Sequence, residues 1–342
     1  LARYDLVYNG DAAKWVKLAN SLMLRMAVRV HFKDEALAKE YIAKALDAAN
    51  GGLIETTADE AKIGDSEKQP LGHPALISID QYNETRMGAT IWSYLRGYSD
   101  PRLPKYFTQG TYRGIQGYYF LAPTNNESKK EGANTAQYAS KPNFVNATPL
   151  YWFRASETYF LLSEAALYGL TSTGSAKDYY EQGVRQSFSE NGAGDATAYL
   201  AQTGTKPAAT TVANNPYIGR YSDNISSGNV SPSWTDVDPN RNATEVQLQK
   251  IITQKYLALY PNAYEAWTEY RRTGYPFIMK PADTGAPSRI GGDASMRAPE
   301  RFSFPASAYA SNPNLKVIPS LLGGEDLGKT PLWWVRDNRP KQ

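Results

Sequence analysis

Few side chains in this 342-residue chain are suited to catalysis, since it contains two histidines and no cysteine. Without cysteine there are no disulfides, thiol nucleophiles or thiolate metal ligands. A zinc enzyme or a Ser–His triad would need His31 or His73, and neither lies in a recognisable motif. We therefore expect both histidines to be structural or surface residues, and we predict neither a cofactor nor a metal site.

Paired carboxylates offer the alternative enzymatic chemistry, that of a glycoside hydrolase. Such an enzyme needs two carboxyl groups about 5–5.5 Å apart for retention or about 6.5–9.5 Å apart for inversion. Glu157 and Glu164 form the best helical pair, but their Cα atoms would lie roughly 10.5 Å apart. Glu157 also has Arg154 three residues before it, the pattern of a solvated salt bridge. Asp236 and Asp238 lie on an irregular segment whose geometry is not predicted. The residues therefore favour a protein that is not an enzyme.

Aromatic side chains favour binding, since the chain holds 25 Tyr and 7 Trp. In "TYRGIQGYYF", glycines lie among the rings, and glycine allows a tight loop that holds rings outward. We predict a ligand platform of Tyr112, Tyr118 and Tyr119, with Trp234 contributed by a second long loop. Arg113 would donate hydrogen bonds to ligand hydroxyls or carboxylates. The alternative is that these rings anchor their loops onto the core.

Helical hairpins are predicted to position these loops. Apolar periodicity and capping residues place hairpins at about 11–49, 149–190 and 244–273. In the first, the apolar stripe includes Trp15 and Met26. The three second helices share a spacing of small and bulky residues: Ala38, Ile42, Ala45; Ala176, Tyr180, Gly183; and Ala263, Trp267, Tyr270. This spacing is typical of tetratricopeptide-like repeats. We predict an all-α superhelix of such hairpins with little regular sheet, in a single domain.

Long irregular insertions interrupt the hairpins at about 98–147, 191–243 and 275–342. Ordered loops of this length in a helical domain are usually functional. The aromatic stretch "LYPNAYEAWTEYRRTGYP" differs from these loops, because Trp267 falls at a packing position of a repeat helix. We expect it to be core. Arg272 is expected to cap the end of that helix, where the dipole favours positive charge, with an anion site as the alternative.

Overall charge excludes one class of function. The chain carries 37 basic and 34 acidic residues, a formal charge of +3, which argues against a dedicated nucleic-acid binder. It contains no stretch of eighteen apolar residues, so we expect no membrane-spanning helix. Because the sequence opens at Leu1, we interpret it as a mature or truncated form from which targeting is not predicted.

Four segments, in order, resemble the SusD/RagB family of outer-membrane nutrient-binding lipoproteins. They are "YDLVYNGDAAKWVKLANSLMLRMAVR", "ETYFLLSEAALYGL" with "GSAKDYYEQGVRQSF", "ITQKYLALYPNAYEAWTEYRRTGYP", and "PERFSFPASAYASNPN" with the closing "TPLWW". "DPRLPKYF" is similar to a further family segment. The resemblance spans residue 4 to about 335. The family's N-terminal portion, with its signal peptide, lipidated cysteine and first repeat helices, would precede Leu1.

The resemblance implies non-catalytic binding of glycans or other nutrient oligomers, such as oligopeptides, at the outer-membrane surface. It implies delivery to a SusC-like TonB-dependent transporter, over which the binding protein sits as a lid. Membrane attachment would be through an N-terminal lipid anchor that this chain lacks. The family has no catalytic residues to carry over. A glycoside hydrolase and a pure interaction scaffold remain the alternatives.

Overall fold

The structure is a computed structural model that describes residues 2–64, 71–112, 115–120, 139–215, 219–281, 288, 291–292 and 295–340. Its helices are α1 (Ala12–Val30), α2 (Glu35–Leu46), α3 (Ala89–Gly97), α4 (Leu103–Tyr106), α5 (Ala155–Leu167), α6 (Ala176–Glu190), α7 (Thr197–Leu200), α8 (Ala243–Leu259), α9 (Ala263–Thr273), α10 (Ala306–Ser311) and α11 (Ile318–Leu322). Its strands are β1 (Ala61–Ile63), β2 (Gly110–Tyr112), β3 (Ile115–Gly117), β4 (Leu150–Phe153), β5 (Thr210–Asn215) and β6 (Gly219–Asp223). The predicted all-α fold with little regular sheet is confirmed.

Capping side chains begin the main helices. Asp11 accepts hydrogen bonds from the first turn of α1, and Asp34 does so for α2. Ser175 caps α6, as its spacing to Asp178 predicts. α8 begins at Ala243, one residue before the predicted start of the third hairpin at about residue 244, and Asn242 is its cap. These caps satisfy backbone N–H groups that have no partner inside a helix.

The first helix buries a different face from the predicted one. Trp15 is 39% exposed and Met26 is 65% exposed, whereas the polar residues Asn20 and Ser21 are buried. Asn20 Nδ2 donates to the carbonyls of Asn50 and Gly52 at 2.7 and 3.0 Å, and Ser21 Oγ accepts from the Ile54 amide at 2.9 Å. The buried face of α1 also carries polar residues that hydrogen-bond to the following segment. Apolar periodicity alone therefore predicted the wrong buried face.

The second hairpin is held by close helix packing. On α6 the buried residues are Tyr180, Gly183, Val184, Ser187 and Phe188, which belong to the predicted stripe. A Cβ atom at Gly183 would lie 2.9 Å from the Phe160 ring of α5. The small residue at this repeat position therefore allows the two helices to approach closely.

Within the described residues, the strands form three short two-stranded antiparallel sheets, in the pairs β1–β4, β2–β3 and β5–β6. β4 occupies the segment that the sequence assigned to the start of the second hairpin, and α5 begins only at Ala155. Thr148 and Pro149 are typical of the start of a helix. The segment after them is nevertheless a strand, because it pairs with β1, in which Ala61 lies opposite Phe153. None of the helices in the described ranges combines the length and apolar character needed to cross a bilayer.

Candidate ligand-binding surfaces

The predicted platform lies on the β2–β3 hairpin and the segment that follows it. Gly110 pairs with Gly117 in this antiparallel hairpin. Arg113 and the side chain of Tyr112 lie outside the described residues. Tyr118 and Tyr119 follow β3 directly and are both half-buried. Of the predicted ligand-binding residues in this segment, the structure therefore describes the side chains of Tyr118 and Tyr119, which are neighbours in the sequence.

Backbone contacts fix the Tyr118–Phe120 segment in place. Trp92 of α3 donates from Nε1 to the Tyr118 carbonyl at 3.0 Å, and its ring lies 4.9 Å from Phe120. The Tyr119 amide donates to Ser140 Oγ at 3.0 Å, and its carbonyl accepts from the Ser140 amide at 2.9 Å. Main-chain atoms and Trp92 thus anchor this segment, the Tyr118 side chain also packs against the hydrophobic core, and both tyrosines remain half-buried.

Trp234 lies elsewhere, in the hydrophobic core. Its side chain is 9% exposed, and its ring lies 5.1 Å from Tyr180 of α6. A buried ring has no open face for a ligand to stack on. This placement corresponds to the alternative interpretation, in which Trp234 anchors its loop to the helices.

A second surface is a cleft of about 510 Å³ between β4 and the junction of α8 with α9. It is lined by Leu150, Tyr151, Trp152, Phe153, Arg154, Glu157, Leu259, Tyr260, Pro261, Asn262, Ala263 and Tyr264. Trp152 is 42% exposed and Tyr264 is 81% exposed. This cleft was not predicted from the sequence, because residues 150–153 were expected to be helical and Tyr264 was expected to belong to the scaffold. The adjacent rings of "YWF" were the available signal.

Behind the cleft, buried ion pairs connect three helices. Glu157 of α5 accepts two hydrogen bonds from Arg25 of α1, each at 2.7 Å, and lies 3.7 Å from Lys255 of α8. The expected solvated pair between Arg154 and Glu157 is wrong. Arg154 is instead 3.2 Å from Glu190, and its side chain is buried. Contacts between distant helices replaced the local pairing that the spacing suggested.

Arg272 is the centre of a second buried ion cluster. It donates to Glu164 of α5 at 2.6 and 2.7 Å and to Glu269 of its own helix at 3.0 and 2.7 Å. His31 lies 2.9 Å from the same Glu164. Arg272 lies in the last turn of α9, as expected, but its guanidinium is buried in ion pairs and does more than cap the helix end. A fully buried guanidinium needs carboxylate partners, and α5 supplies one of them.

These contacts are unfavourable for the hydrolase alternative. Burial raises the pKa of Glu164, but Arg272 and His31 outweigh it and lower that pKa to about 2. A carboxyl group that stays ionised is not a proton donor at neutral pH. Glu157 is held by Arg25 in a bidentate pair. Among the described residues, no group of three or more His, Cys, Asp or Glu is arranged to hold a metal ion.

Comparison with known families identifies the fold. Residues 1–335 match the profile of a family described as SusD-like, "Susd and RagB outer membrane lipoprotein". The chain belongs to the SusD-like family. The comparison indicates no enzyme family for this SusD-like chain. The search of curated proteins gives no match.

Solved SusD-like structures share the fold over nearly the whole chain. The structure of BT1043 is 59% identical with a TM-score of 0.95, and the match covers 100% of this chain and 68% of that one. A SusD homologue from Bacteroides vulgatus is 35% identical with a TM-score of 0.79, covering 99% and 65%. A chitin-binding SusD homologue from Flavobacterium johnsoniae is 32% identical with a TM-score of 0.80, covering 99% and 67%. This chain therefore spans about two thirds of the length of these structures.

Proposed function

We propose that this SusD-like protein captures glycans at the outer-membrane surface without cleaving them and delivers them to a SusC-like TonB-dependent transporter. The observation that carries the proposal is family membership over residues 1–335, together with a chitin-binding homologue of the same fold. Glu157 and Glu164 were the best candidate pair of catalytic carboxylates. Their burial in separate ion pairs, with Arg25 and Arg272, adds support for a non-catalytic role.

The platform after β3 would hold sugar rings by stacking. Tyr118 and Tyr119 are half-buried on a backbone that Trp92 and Ser140 fix. Rings that are already in place lose little conformational entropy on binding, which favours capture of long, flexible chains. Tyr112 and Arg113, which precede them in the sequence, remain predicted ligand contacts, with Arg113 as the donor to hydroxyls.

Attachment and delivery are part of the same proposal. The family description as an outer membrane lipoprotein supports a lipid anchor at the N-terminus of the mature protein and exposure at the cell surface. The partner would be a transporter barrel beneath the binding protein. Purification of the tagged protein from solubilised outer membranes should then recover a large barrel protein in stoichiometric amount. Recovery of the tagged protein alone would count against delivery.

The platform is tested by electrophoresis through gels that contain a panel of polysaccharides. We expect at least one polysaccharide to retard the wild-type protein. Tyr118→Ala and Tyr119→Ala should each weaken that binding by about 1–3 kcal/mol, the value of a buried aromatic contact. Tyr41→Ala is the matched control, because Tyr41 is an exposed tyrosine on α2 whose ring lies under Lys44.

The thermal midpoint distinguishes the two roles of these rings. If Tyr118 and Tyr119 form the platform, their alanine variants keep the wild-type midpoint, as Tyr41→Ala does. Unchanged affinity with a lowered midpoint would show that both rings are loop anchors and that the platform lies elsewhere.

A further inference from the structure

Two aromatic side chains from different elements line the cleft between β4 and the α8–α9 junction. Trp152 belongs to the strand, and Tyr264 belongs to the first turn of α9. Large exposed rings are costly to leave in water, and an apolar surface bordered by polar groups usually marks a place of contact. The cleft volume of about 510 Å³ lies within the range of roughly 300–1,000 Å³ found for small-ligand sites.

The residues that line the cleft are held in place by contacts within the protein. β4 pairs with β1, and the Tyr151 ring lies 4.3 Å from the guanidinium of Arg154. Tyr264 stands on a capped helix, because the Asn262 side chain accepts a hydrogen bond from the Glu265 amide at 3.3 Å. Neither ring lies on a loop that must become ordered when a ligand binds, so the entropic cost of binding is small.

Charge in the cleft is already neutralised by the protein. Of the lining residues, only Arg154 and Glu157 are charged. Arg154 lies 3.2 Å from Glu190 and 3.7 Å from Glu60, and Glu157 is bidentate with Arg25. A carboxylate or sulfate on a ligand would therefore meet no free cation among the residues that line this cleft. The electrostatics favour an uncharged ligand.

One lining residue offers a hydrogen-bonding group without a protein partner. The hydroxyl of Tyr260 is buried and makes no hydrogen bond within the described part of the chain. Its ring is fixed by packing against Tyr106, with 4.6 Å between centroids. Buried hydroxyl groups are normally paired. Because this oxygen is shielded from solvent, we assign it no contact with a ligand, and Tyr260 contributes its ring to the wall of the cleft.

We propose that this cleft is a second saccharide-binding subsite, which takes uncharged sugar rings between Trp152 and Tyr264. The inference rests on the proposed function, since it assumes that the protein binds glycans. It differs in place from the platform of Tyr118 and Tyr119, which lies on the β2–β3 hairpin against α3. Two separate subsites would hold one long glycan at two points.

Isothermal titration calorimetry tests the subsite with uncharged oligomers of glucose, galactose and N-acetylglucosamine, and with an oligomer of galacturonic acid as the anionic probe. We expect the double variant Trp152→Ala/Tyr264→Ala to bind the preferred uncharged oligomer about tenfold more weakly than wild type. Trp333→Ala, at a tryptophan that is 67% exposed, is the control and should leave affinity unchanged.

The possible outcomes separate this inference from the proposed function. If wild type binds none of the oligomers and none of the gel polysaccharides, the proposed function fails and the subsite fails with it. If wild type binds, and Tyr118→Ala weakens binding while the double cleft variant does not, only the subsite is overturned. Preference for the galacturonic acid oligomer that depends on Trp152 would overturn the uncharged class of ligand. A lowered midpoint with unchanged affinity would show that Trp152 and Tyr264 are packing residues.

Discussion

Arg272 is a fully buried residue that joins two helices through charge. Its guanidinium donates to both oxygens of Glu164 on α5 and to both oxygens of Glu269 on α9. Removal of one partner from such a pair leaves an uncompensated charge in a medium of low polarity, which costs more than the pair contributes. The buried ion cluster is therefore expected to be sensitive to single substitutions.

Glu164→Gln should destabilise the fold by about 3–5 kcal/mol, because the neutral amide leaves Arg272 with one carboxylate where it had two. Urea unfolding measures this loss. Glu35→Gln is the control, since Glu35 forms a solvent-exposed pair with Lys39 and its loss should leave the free energy of unfolding nearly unchanged. A loss below about 1 kcal/mol for Glu164→Gln would mean that the cluster does not require its full charge.

Glu60 and Glu190 share one cation, Arg154, whose Nε lies 3.7 and 3.2 Å from them. Burial and the charge of Glu190 raise the pKa of Glu60 from 4.5 to about 8. The folded state therefore holds a proton that the unfolded state releases, so stability falls as the pH rises from about 4.5 to about 8. Glu60→Gln, which stays neutral, should lose much of this dependence.

Thermal midpoints at about pH 6 and about pH 9 measure the effect of Glu60. We expect the midpoint to fall by less between these pH values in Glu60→Gln than in wild type. A difference of about 1 kcal/mol corresponds to ~2–4 °C in domains of ~150–250 residues. An equal fall in both proteins would show that Glu60 is ionised in the folded state at neutral pH.

Packing between helices depends on small residues at fixed positions. Gly183 of α6 lies against the Phe160 ring of α5, and Ala38 and Ala45 of α2 are fully buried. Each occupies a position that holds a small residue in the spacing shared by the second helices of the hairpins. A larger side chain at such a position forces the helices apart or moves the facing ring.

Gly183→Ala should therefore destabilise the protein by about 1–3 kcal/mol, although alanine is the better helix former. Its new Cβ would lie 2.9 Å from the Phe160 ring, which is itself buried. Gly88→Ala is the matched control, because a Cβ there meets nothing within 4 Å. Chemical denaturation compares the two variants. A stabilised Gly183→Ala would show that Phe160 moves freely and that the close approach is not required.

Local signals in the sequence account for the elements that were predicted correctly. Caps such as Asp11 and Ser175 and the small residue at Gly183 act within a few residues along the chain. The errors arose where distant segments decide the structure. Strand β4 forms because β1 pairs with it from about ninety residues earlier, as Ala61 opposite Phe153 shows. Arg272 is buried because Glu164 on another hairpin meets it.

For the candidate sites too, contacts from distant segments decide which side chains are buried. Tyr118, Tyr119 and Trp234 were all predicted from aromatic composition in irregular segments; the first two are half-buried, whereas Trp234 is buried and packs on Tyr180. Sequence does not distinguish a ring that faces solvent from one that faces the core in an irregular segment. The cleft around Trp152 is formed by segments more than a hundred residues apart, so no local pattern describes it.

At the scale of the whole molecule, the helices form a scaffold, and the rings proposed to bind ligand lie on or beside short strands and at the α8–α9 junction. The β2–β3 hairpin precedes Tyr118, and β4 with the α8–α9 junction holds Trp152 and Tyr264. The candidate catalytic carboxylates Glu157 and Glu164 are instead enclosed among the helices in ion pairs. This division favours a protein that binds its ligand and leaves it chemically unchanged.

The most direct test of this account is calorimetric titration of the purified protein with the glycan that retards it most in the gel panel, followed by assay of the same mixture for new reducing ends. We predict saturable binding and no increase in reducing ends after prolonged incubation. Absence of binding to every glycan in the panel, or release of reducing ends that Glu164→Gln abolishes, would contradict non-catalytic glycan capture.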